Sequence, residues 1–366
     1  MNALPSSLML IGVGGAGAGM VRGVLRAYGH ALRALVIDTD AQAGADLPFT
    51  LLGGNRLAGR GTGGQPAAAR AAFQDDPAFI DRALDGVRTA VIVTGLGGGT
   101  GGGATGELLK HLHTLGIVTL IFATMPFPFE GEDRIRAAKT AAGPISQYAD
   151  VSVFLPLDAL VTQSGTDNFK DALQRGVDVL ASGVTLLWRL IERPGYIQLG
   201  PEHLRGILMG CGRGQFATAT ARGEDRVQTI LAELAEHPLL ARDDARPPVR
   251  TVLVGVLAGD DLRLSELGAL ASGISAAFGP NAALELGTVN DEETFSGRLS
   301  AVVLLFEEHA TPTTHHAVLA RDDARLHGGA HALAANSRFR NTEKTTWNDE
   351  DLDVPTYIRR NLTLDR

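Results

Sequence analysis

Two glycine-rich segments of the chain could bind a phosphate group through their backbone. The first runs from Gly12 to Gly17 with the sequence GVGGAG, and the second runs from Gly95 to Gly103 with the sequence GLGGGTGGG. Each follows a short apolar run and precedes a stretch of helical character, so that free N–H groups at a helix amino end face the loop. Thr100 can add a hydroxyl donor. A slack linker is the alternative, but linkers are not framed by a buried strand and a helix.

Neither segment is a Walker A loop, because that motif requires a lysine after its last glycine and the sequence has no Gly-Lys pair. Phosphate would instead be held by backbone N–H groups, the helix dipole, hydroxyls and a metal ion. A third glycine-rich segment, from Gly59 to Gly64, suggests that several loops converge on one polyphosphate.

The first segment taken alone supports a second interpretation, a Rossmann-type NAD(P)-dependent oxidoreductase. Gly12, Gly14 and Gly17 match the dinucleotide fingerprint, and Asp38 follows about twenty residues later at a strand end. That interpretation gives no reason for the second, richer glycine segment. It also requires an acid–base pair in the second half of the chain, where we find no His/Asp pair suited to the role.

The composition excludes several classes of function. The 366-residue chain is 45% hydrophobic and 20% charged, which is ordinary for a globular protein with room for two domains. Its formal net charge of -8 argues against bulk binding to nucleic acid. The single cysteine, Cys211, fits a cytoplasmic location. The apolar amino end lacks the basic region of a signal peptide, and Arg22 interrupts it, so we expect no membrane insertion.

Short apolar runs alternate with helical stretches through the first half of the chain. This alternation predicts an α/β fold with a doubly wound parallel sheet. We expect strands at residues 8–11, 34–37, 90–93, 118–123 and 151–155, and helices near 20–28, 67–73, 77–84 and 104–115.

The second half begins with one long helix at about 169–191, which Pro194 and Gly195 end. A second, smaller α/β domain is expected to follow. Past Glu308 the periodicity is lost, which is typical of a flexible linker, and the chain then reaches a final motif that starts at Trp347. The expected elements of the second domain are strands at 204–212, 252–257, 284–288 and 299–306 and a helix at 264–278.

Several segments match motifs of one known family nearly end to end. The second glycine segment is similar to the tubulin signature loop, and the first is similar to the family's first phosphate loop. By these and the following motifs the chain resembles the bacterial FtsZ cell-division proteins of the tubulin/FtsZ superfamily, as a divergent member. The further matches are Asp38-Thr-Asp-Ala-Gln, Gly61-Thr-Gly-Gly-Gln-Pro, Pro126-Phe-Pro-Phe-Glu-Gly, Gly223-Glu-Asp-Arg with His237-Pro-Leu-Leu, and Asp351-Leu-Asp-Val-Pro-Thr-Tyr-Ile-Arg-Arg.

The resemblance implies a GTP/GDP site with Mg²⁺ over the two glycine segments. Glu130 and Arg134 would contact the ribose side of the nucleotide, and Asp178 on the long helix lies near the family's guanine-contacting residue. For Glu130 and Arg134 a solvated i,i+4 ion pair is the alternative. The residues that the resemblance assigns to the nucleotide are Gly14, Gly15, Ala16, Gly17, Ala18, Gly19, Asp40, Gly64, Gly97, Gly98, Gly99, Thr100, Gly101, Gly102, Glu130, Arg134 and Asp178.

The resemblance also implies a domain organisation. A GTP-binding Rossmann-like domain would take residues 1–168, and the central helix 169–195 would join it to the second domain at 196–308. A flexible linker at 309–345 would then lead to a partner-binding peptide at 346–366.

One loop departs from the family pattern where catalysis is concerned. The family hydrolyses GTP when a loop of the next subunit brings carboxylates to the nucleotide, and residues 197–204 correspond to it. Gly200 and His203 stand for the two aspartates, and Glu202 is the remaining carboxylate, one register step away. A group that positions water must lie within about 3 Å of it. We therefore expect weak or absent hydrolysis by the usual route, with Glu202 or His203 as candidate substitutes; exposed loop residues are the alternative.

The base pocket departs as well. Leu157 replaces an asparagine that can read guanine, and Leu173 falls near an aromatic residue that stacks on the base. Gly19 replaces another asparagine, and Gly102 replaces a hydroxyl residue. Because a polar pocket discriminates bases through its hydrogen-bonding groups, we expect phosphate binding to be better retained than guanine selectivity.

The tail resembles a short recognition peptide on a tether, which would bind a division-site anchor or regulator; a disordered charged tail is the alternative. Together these features predict a GTP-binding protein that forms head-to-tail homopolymers in the cell-division ring, in the cytoplasm at the division site. The alternative is a non-hydrolysing paralogue that co-assembles with or regulates another filament protein. The predicted partner-binding residues are Asp353, Val354, Pro355, Tyr357, Ile358 and Arg359.

Overall fold

The computed structural model describes residues 7–28, 32–44, 46–161, 169–192, 195–240 and 248–307, together with two short strands at 346–347 and 350–351. The first half forms a parallel sheet in the order β3-β2-β1-β4-β5-β6. Its strands are β1 Leu8–Val13, β2 Ala34–Asp38, β3 Phe49–Leu51, β4 Thr89–Gly95, β5 Val118–Met125 and β6 Val151–Pro156. Its helices are α1 Gly14–Tyr28, α2 Gly54–Leu57, α3 Pro66–Asp75, α4 Gly99–Thr114, α5 Glu132–Tyr148 and α6 Leu157–Val161, with 3-10 turns at Pro77–Ile80 and Pro128–Glu130.

Helices cover both faces of this sheet. Every residue of β1 is buried, and its side chains alternate between two cores. Leu8 and Leu10 belong to the core shared with the long helix of the second half, whereas Met9 and Ile11 belong to the core shared with α3 and α4. Strands that are buried on both faces read as continuous apolar runs, which is why the sequence predicts them well.

The second half extends the same sheet. The long helix is α7 Phe169–Glu192, and β7 joins β6 in parallel through only two residue pairs, Val151 with Gly212 and Ser152 with Arg213. The sheet then continues in the order β7-β10-β8-β9, with β10 antiparallel to both neighbours. The elements after α7 are α8 Pro201–Leu208, β7 Gly212–Arg222, α9 Arg226–Ala235, a 3-10 turn at Pro238–Leu240, β8 Val249–Ala258, α10 Leu264–Phe278, β9 Ala283–Asn290, α11 Glu292–Phe295 and β10 Arg298–Glu307.

Near the carboxyl end, β11 Thr346–Trp347 pairs with β12 Glu350–Asp351 in an antiparallel hairpin. The rest of the predicted linker and peptide, including all six predicted partner-binding residues, lies outside the described residues. Within the part of the chain that the structure describes, no helix is both long and apolar enough to cross a membrane.

The predicted doubly wound parallel sheet and the long helix are confirmed, and the predicted helix 264–278 matches α10. The predicted strand at 204–212 is wrong, because that stretch contains helix α8 and only its last residue, Gly212, begins a strand. Most of β7 and all of α9 are not predicted from the sequence. The predicted helix at 77–84 is a 3-10 turn that ends at Ile80. Helices α1 and α4 begin earlier than predicted, inside the glycine segments.

Candidate functional site

The ends of two neighbouring strands bring the two glycine segments together. Strands β1 and β4 are parallel, with Val13 beside Thr94, and each is followed directly by a helix, α1 or α4. The Thr94 hydroxyl donates to the Val13 carbonyl oxygen at 3.1 Å. A Cβ added to Gly14 would lie 3.1 Å from the backbone nitrogen of Gly101, so the two helix amino ends are in contact. Both ends direct their free N–H groups to the carboxyl edge of the sheet, which is an anion-binding arrangement.

Several of the candidate glycines are required by close packing between protein atoms. A Cβ on Gly17 would lie 2.6 Å from the carbonyl oxygen of Val93, and one on Gly101 would lie 2.3 Å from that of Gly95. One on Gly99 would lie 1.8 Å from the Thr62 hydroxyl. These glycines therefore allow helices α1 and α4 to approach the strands and the third glycine segment, and packing explains them without a ligand.

Other glycines in the same segments face open space. Added Cβ atoms on Gly15, Gly19, Gly64 and Gly98 would meet nothing within 4 Å. Gly15 and Ala16 are exposed at the start of α1, whereas Ala18 is buried against the core. Gly97 has a positive φ of 88°, and Gly102 is buried with only ordinary contacts to Pro66. The open positions mark the surface on which a phosphate chain could lie against the backbone.

A buried network of hydroxyl and carboxylate groups lies beneath the second segment. The Thr100 hydroxyl donates to Oδ1 of Asp38 at 3.0 Å and lies 2.7 Å from the Thr39 hydroxyl. The same Oδ1 accepts from the Thr39 backbone N–H at 2.6 Å. Asp38 is 3% exposed. An acidic residue that reads a ribose hydroxyl must be accessible, so this placement disfavours the dinucleotide interpretation of Asp38.

The third glycine segment is fixed to the same corner. Asp40 forms an isolated β-bridge with Arg60, and the backbone N–H of Gly61 donates to the Thr39 carbonyl oxygen at 3.0 Å. The Asp40 side chain is exposed and caps its own turn by accepting from the Gln42 N–H at 2.9 Å. Three segments that are far apart in sequence therefore converge at one edge of the sheet, as the sequence analysis expects.

Glu130 and Arg134 lie next to the second segment. They form an i,i+4 ion pair at the start of α5, and Glu130 Oε1 also accepts from the Phe127 N–H at 2.9 Å. A Cβ on Gly97 would lie 2.9 Å from the carbonyl oxygen of Arg134, which brings this turn against the loop. Both the nucleotide role and the ion-pair alternative are compatible with this geometry.

Asp178 belongs to α7, but its side chain lies outside the described residues. The helix itself packs on α1, where a Cβ on Gly23 would lie 2.9 Å from the Ala181 Cβ. This contact places α7 beside the helix that carries the first glycine segment.

Glu202 and His203 lie at the other edge of the sheet. They occupy the first turn of α8, and their side chains are 57% and 55% exposed. Glu202 forms ion pairs with Arg88 at 3.4 Å and Arg205 at 3.9 Å, and His203 Nε2 lies 2.9 Å from Glu285. Arg88 immediately precedes β4, whereas the second glycine segment follows that strand. The length of β4, roughly 20 Å, therefore separates the two candidate catalytic residues from the glycine segments of their own chain.

A buried carboxylate supports the amino edge near α8. Asp150 accepts from the Thr119 backbone N–H at 2.8 Å and is 6% exposed. Burial raises its pKa to about 6, while the bonds from Thr119 and the charge of Arg205 act in the opposite direction. The sequence analysis missed this residue, because a lone aspartate before an apolar run carries no sequence signal of its burial.

The described residues contain no group of three or more His, Cys, Asp or Glu side chains that could hold a metal ion. The Thr100 hydroxyl oxygen is nevertheless of the type that Mg²⁺ accepts, and Mg²⁺ commonly completes its coordination with phosphate and water. The donor set at the glycine segments therefore fits a magnesium ion that is held jointly with a bound phosphate.

Comparison with known proteins gives matches in sequence and in structure. The family described as Tubulin/FtsZ family, GTPase domain, matches residues 7–165. The cell division protein FtsZ of Pseudomonas putida is 31% identical over 290 residues, which cover 78% of this chain and 73% of that protein. An FtsZ dimer from M. jannaschii is similar with a TM-score of 0.75 and 25% identity, over 82% of this chain and 87% of that one. A GTPgS-bound protofilament of CetZ2 from Haloferax volcanii has a TM-score of 0.68 and 20% identity, over 88% and 99%. The predicted tubulin/FtsZ-like fold is confirmed.

Proposed function

Because the chain belongs to the tubulin/FtsZ family, we propose that it binds GTP or GDP and assembles head to tail into filaments that act in cell division. The observation that carries the proposal is the convergence of two helix amino ends and a third glycine segment at one edge of the sheet, with open backbone at Gly15, Gly64 and Gly98. This arrangement offers a polyphosphate chain several N–H donors without a lysine.

Most of the nucleotide residues that we propose lie at this edge of the sheet. The phosphates lie over α1 and α4, against Gly14–Gly19 and Gly97–Gly102, and Thr100 adds its hydroxyl. Asp40 and Gly64 close the third side, and Glu130 and Arg134 contact the ribose side. Asp178 reads the base from α7. The contacts among the three glycine segments support the assignments of Gly14–Gly19, Gly97–Gly102 and Gly64.

Mg²⁺ completes the proposed site. The residue that would approach it, directly or through water, is Thr100 at the start of α4, and the ion would neutralise the charge of the phosphates.

The separation of the two candidate sites supports head-to-tail assembly. Glu202 and His203 lie at the amino edge of the sheet and cannot reach the glycine segments of their own chain. In a head-to-tail filament the amino edge of one chain faces the carboxyl edge of the next, so Glu202 of one copy meets the nucleotide of its neighbour. Hydrolysis in this chain would therefore require assembly.

A second candidate function is a filament protein that binds nucleotide without hydrolysing it. The ion pairs of Glu202 favour this alternative, because a carboxylate that contacts Arg88 and Arg205 is not free to orient water. Such a chain would join or regulate filaments of an active relative.

Phosphate release from GTP with Mg²⁺, measured against protein concentration, separates the two candidates. For a self-assembling GTPase we expect release to begin above a threshold concentration and to fall at least about tenfold in Glu202→Ala. The control is Glu236→Ala, which removes an exposed carboxylate at the carboxyl cap of α9 and should leave release unchanged. Bound nucleotide with no release at any concentration would support the non-hydrolysing candidate, and failure to bind GTP or GDP would contradict both.

The tail residues Asp353, Val354, Pro355, Tyr357, Ile358 and Arg359 are proposed to bind an anchor or regulator protein at the division site. Apolar and aromatic side chains flanked by an acidic residue on one side and a basic residue on the other support a short docking peptide.

A further inference from the structure

A cavity separate from the glycine segments lies where strands β6 and β7 diverge. Its volume is about 510 Å³, within the range of small-molecule sites. The walls include Lys139 and Gly143 of α5, Phe154 of β6, Arg213 and Phe216 of β7 and Leu239 of the adjacent 3-10 turn. None of the proposed nucleotide residues is among the described residues that line it.

The cavity is a consequence of how the sheet is built. After Ser152 and Arg213 the described residues of β6 and β7 no longer pair with each other. β6 remains paired with β5 as far as Pro156, and β7 remains paired with β10 along its length from Gly214. Each of the two strands that form the walls is therefore held by backbone hydrogen bonds to its other neighbour, β6 to β5 and β7 to β10. The gap between the walls keeps its shape without a ligand, which favours binding because little ordering is required.

Among the described residues that line the cavity, the charged side chains are all positive. Lys139 and Arg213 are both exposed, and they are the only charged side chains among the described residues that line it. Within the described part of the chain neither has an ion-pair partner, although the chain carries a net charge of -8 and acidic side chains are plentiful. The floor is apolar, with Val153, Leu155 and Phe216 buried. Two cations that have no ion-pair partner among the described residues, next to an apolar cavity, match an anion that carries an apolar body.

We propose that this cavity binds a small amphipathic anion, with its carboxylate or sulfonate group at Lys139 and Arg213 and its apolar body between the diverging strands. This site is additional to the proposed nucleotide site.

The test is fluorescence titration of the full chain with 8-anilinonaphthalene-1-sulfonate, an apolar sulfonate. We expect saturable binding whose Kd rises at least about tenfold in the double variant Lys139→Met/Arg213→Met. The matched control is Lys110→Met/Arg82→Met, which removes two exposed cations elsewhere and should bind the probe like the unchanged chain. Equal affinity in the two double variants would overturn the proposal.

Two further measurements separate anion recognition from general apolar binding. Decanoate should displace the probe at a concentration at least about tenfold lower than decan-1-ol, because only the carboxylate can pair with the cations. The variant Gly143→Phe should abolish saturable binding while keeping the fold, because a Cβ at Gly143 meets nothing within 4 Å and a larger side chain can extend into the cavity. Displacement by decan-1-ol at equal concentration, or full binding in a folded Gly143→Phe, would contradict the site.

Discussion

At the scale of single residues, the glycine segments contain two kinds of glycine. Gly17 is needed because any Cβ would strike the Val93 carbonyl oxygen, whereas Gly15, two positions earlier in the same helix, has open space in front of it. Packing selects the first kind, and the proposed ligand explains the second. Sequence alone cannot separate them, because both read as glycine in a motif.

This difference predicts opposite outcomes for two alanine substitutions in α1. Gly17→Ala should lower the free energy of unfolding by about 1–3 kcal/mol, because α1 must move away from β4. Gly15→Ala should leave stability unchanged or raise it by up to about 1 kcal/mol, since alanine is the better helix former. We expect Gly15→Ala to weaken binding of a fluorescent GTP analogue instead. Urea unfolding and analogue titration of both variants check the pair, and loss of stability in Gly15→Ala would contradict it.

At the scale of the elements, the sequence predicts the buried strands and fails at helix starts. α4 begins at Gly99, five residues before the predicted start, although each glycine in a helix interior costs about 1 kcal/mol relative to alanine. Thr62 and the Pro66 backbone lie so close to Gly99 and Gly103 that no Cβ fits there, and such packing is not local in sequence. Leu204, Ile207 and Leu208 have helical spacing in α8, but they belong to a short apolar run that fits a strand equally well.

The convergence of the three glycine segments was predictable because strand order follows from an α/β pattern. The network of Asp38, Thr39 and Thr100 was not predictable, because Thr100 lies 62 positions after Asp38 and the burial of these residues depends on the packing of α4. The ion pairs of Glu202 were also invisible, because Arg88 gives no sequence signal of its partner.

Asp150, directly before β6, accepts a hydrogen bond from Thr119 of β5. Its titration should therefore be detectable in the pH dependence of the free energy of unfolding. The pKa of Asp150 in the folded chain, about 6, lies above its ordinary value of 3.8. Between these two pH values the folded chain therefore binds a proton that the unfolded chain does not. The stabilisation that comes from this proton is lost as pH rises from about 4 to above 6. The size of the effect is roughly 3 kcal/mol. Asparagine does not titrate, so Asp150→Asn should not lose this stability. The difference in the free energy of unfolding, variant minus unchanged chain, should therefore rise by up to this amount from pH 4 to pH 7. Denaturant titrations across that range check it, and a difference that does not vary with pH would contradict it.

At the scale of the whole molecule, the two edges of one sheet carry different parts of one proposed active site. The carboxyl edge carries the glycine segments, and the amino edge carries Glu202. If Glu202 supports hydrolysis, two variants that are each inactive should complement one another when mixed.

The first variant is Glu202→Ala, and the second is Gly98→Asp. Gly98 is the N-cap of α4, where aspartate is tolerated, but its carboxylate would repel phosphate. In an equimolar mixture about a quarter of head-to-tail contacts would combine an intact nucleotide site with an intact Glu202, so phosphate release should recover to about a quarter of the unmutated level. Release that stays at the level of the separate variants would contradict catalysis across the subunit contact.

The opposite placement of the two half-sites also gives such a filament a direction. At one end the last chain exposes its glycine segments, and at the other it exposes Glu202 and Arg88. If Glu202 supports hydrolysis, the chain whose nucleotide is uncovered would have no neighbour to supply Glu202. Its GTP would therefore persist, while the GTP of every chain behind it could be hydrolysed. Each chain that is added at that end would therefore bring GTP that has not been hydrolysed. The fraction of chains that still hold GTP would fall with the time since the next chain was added.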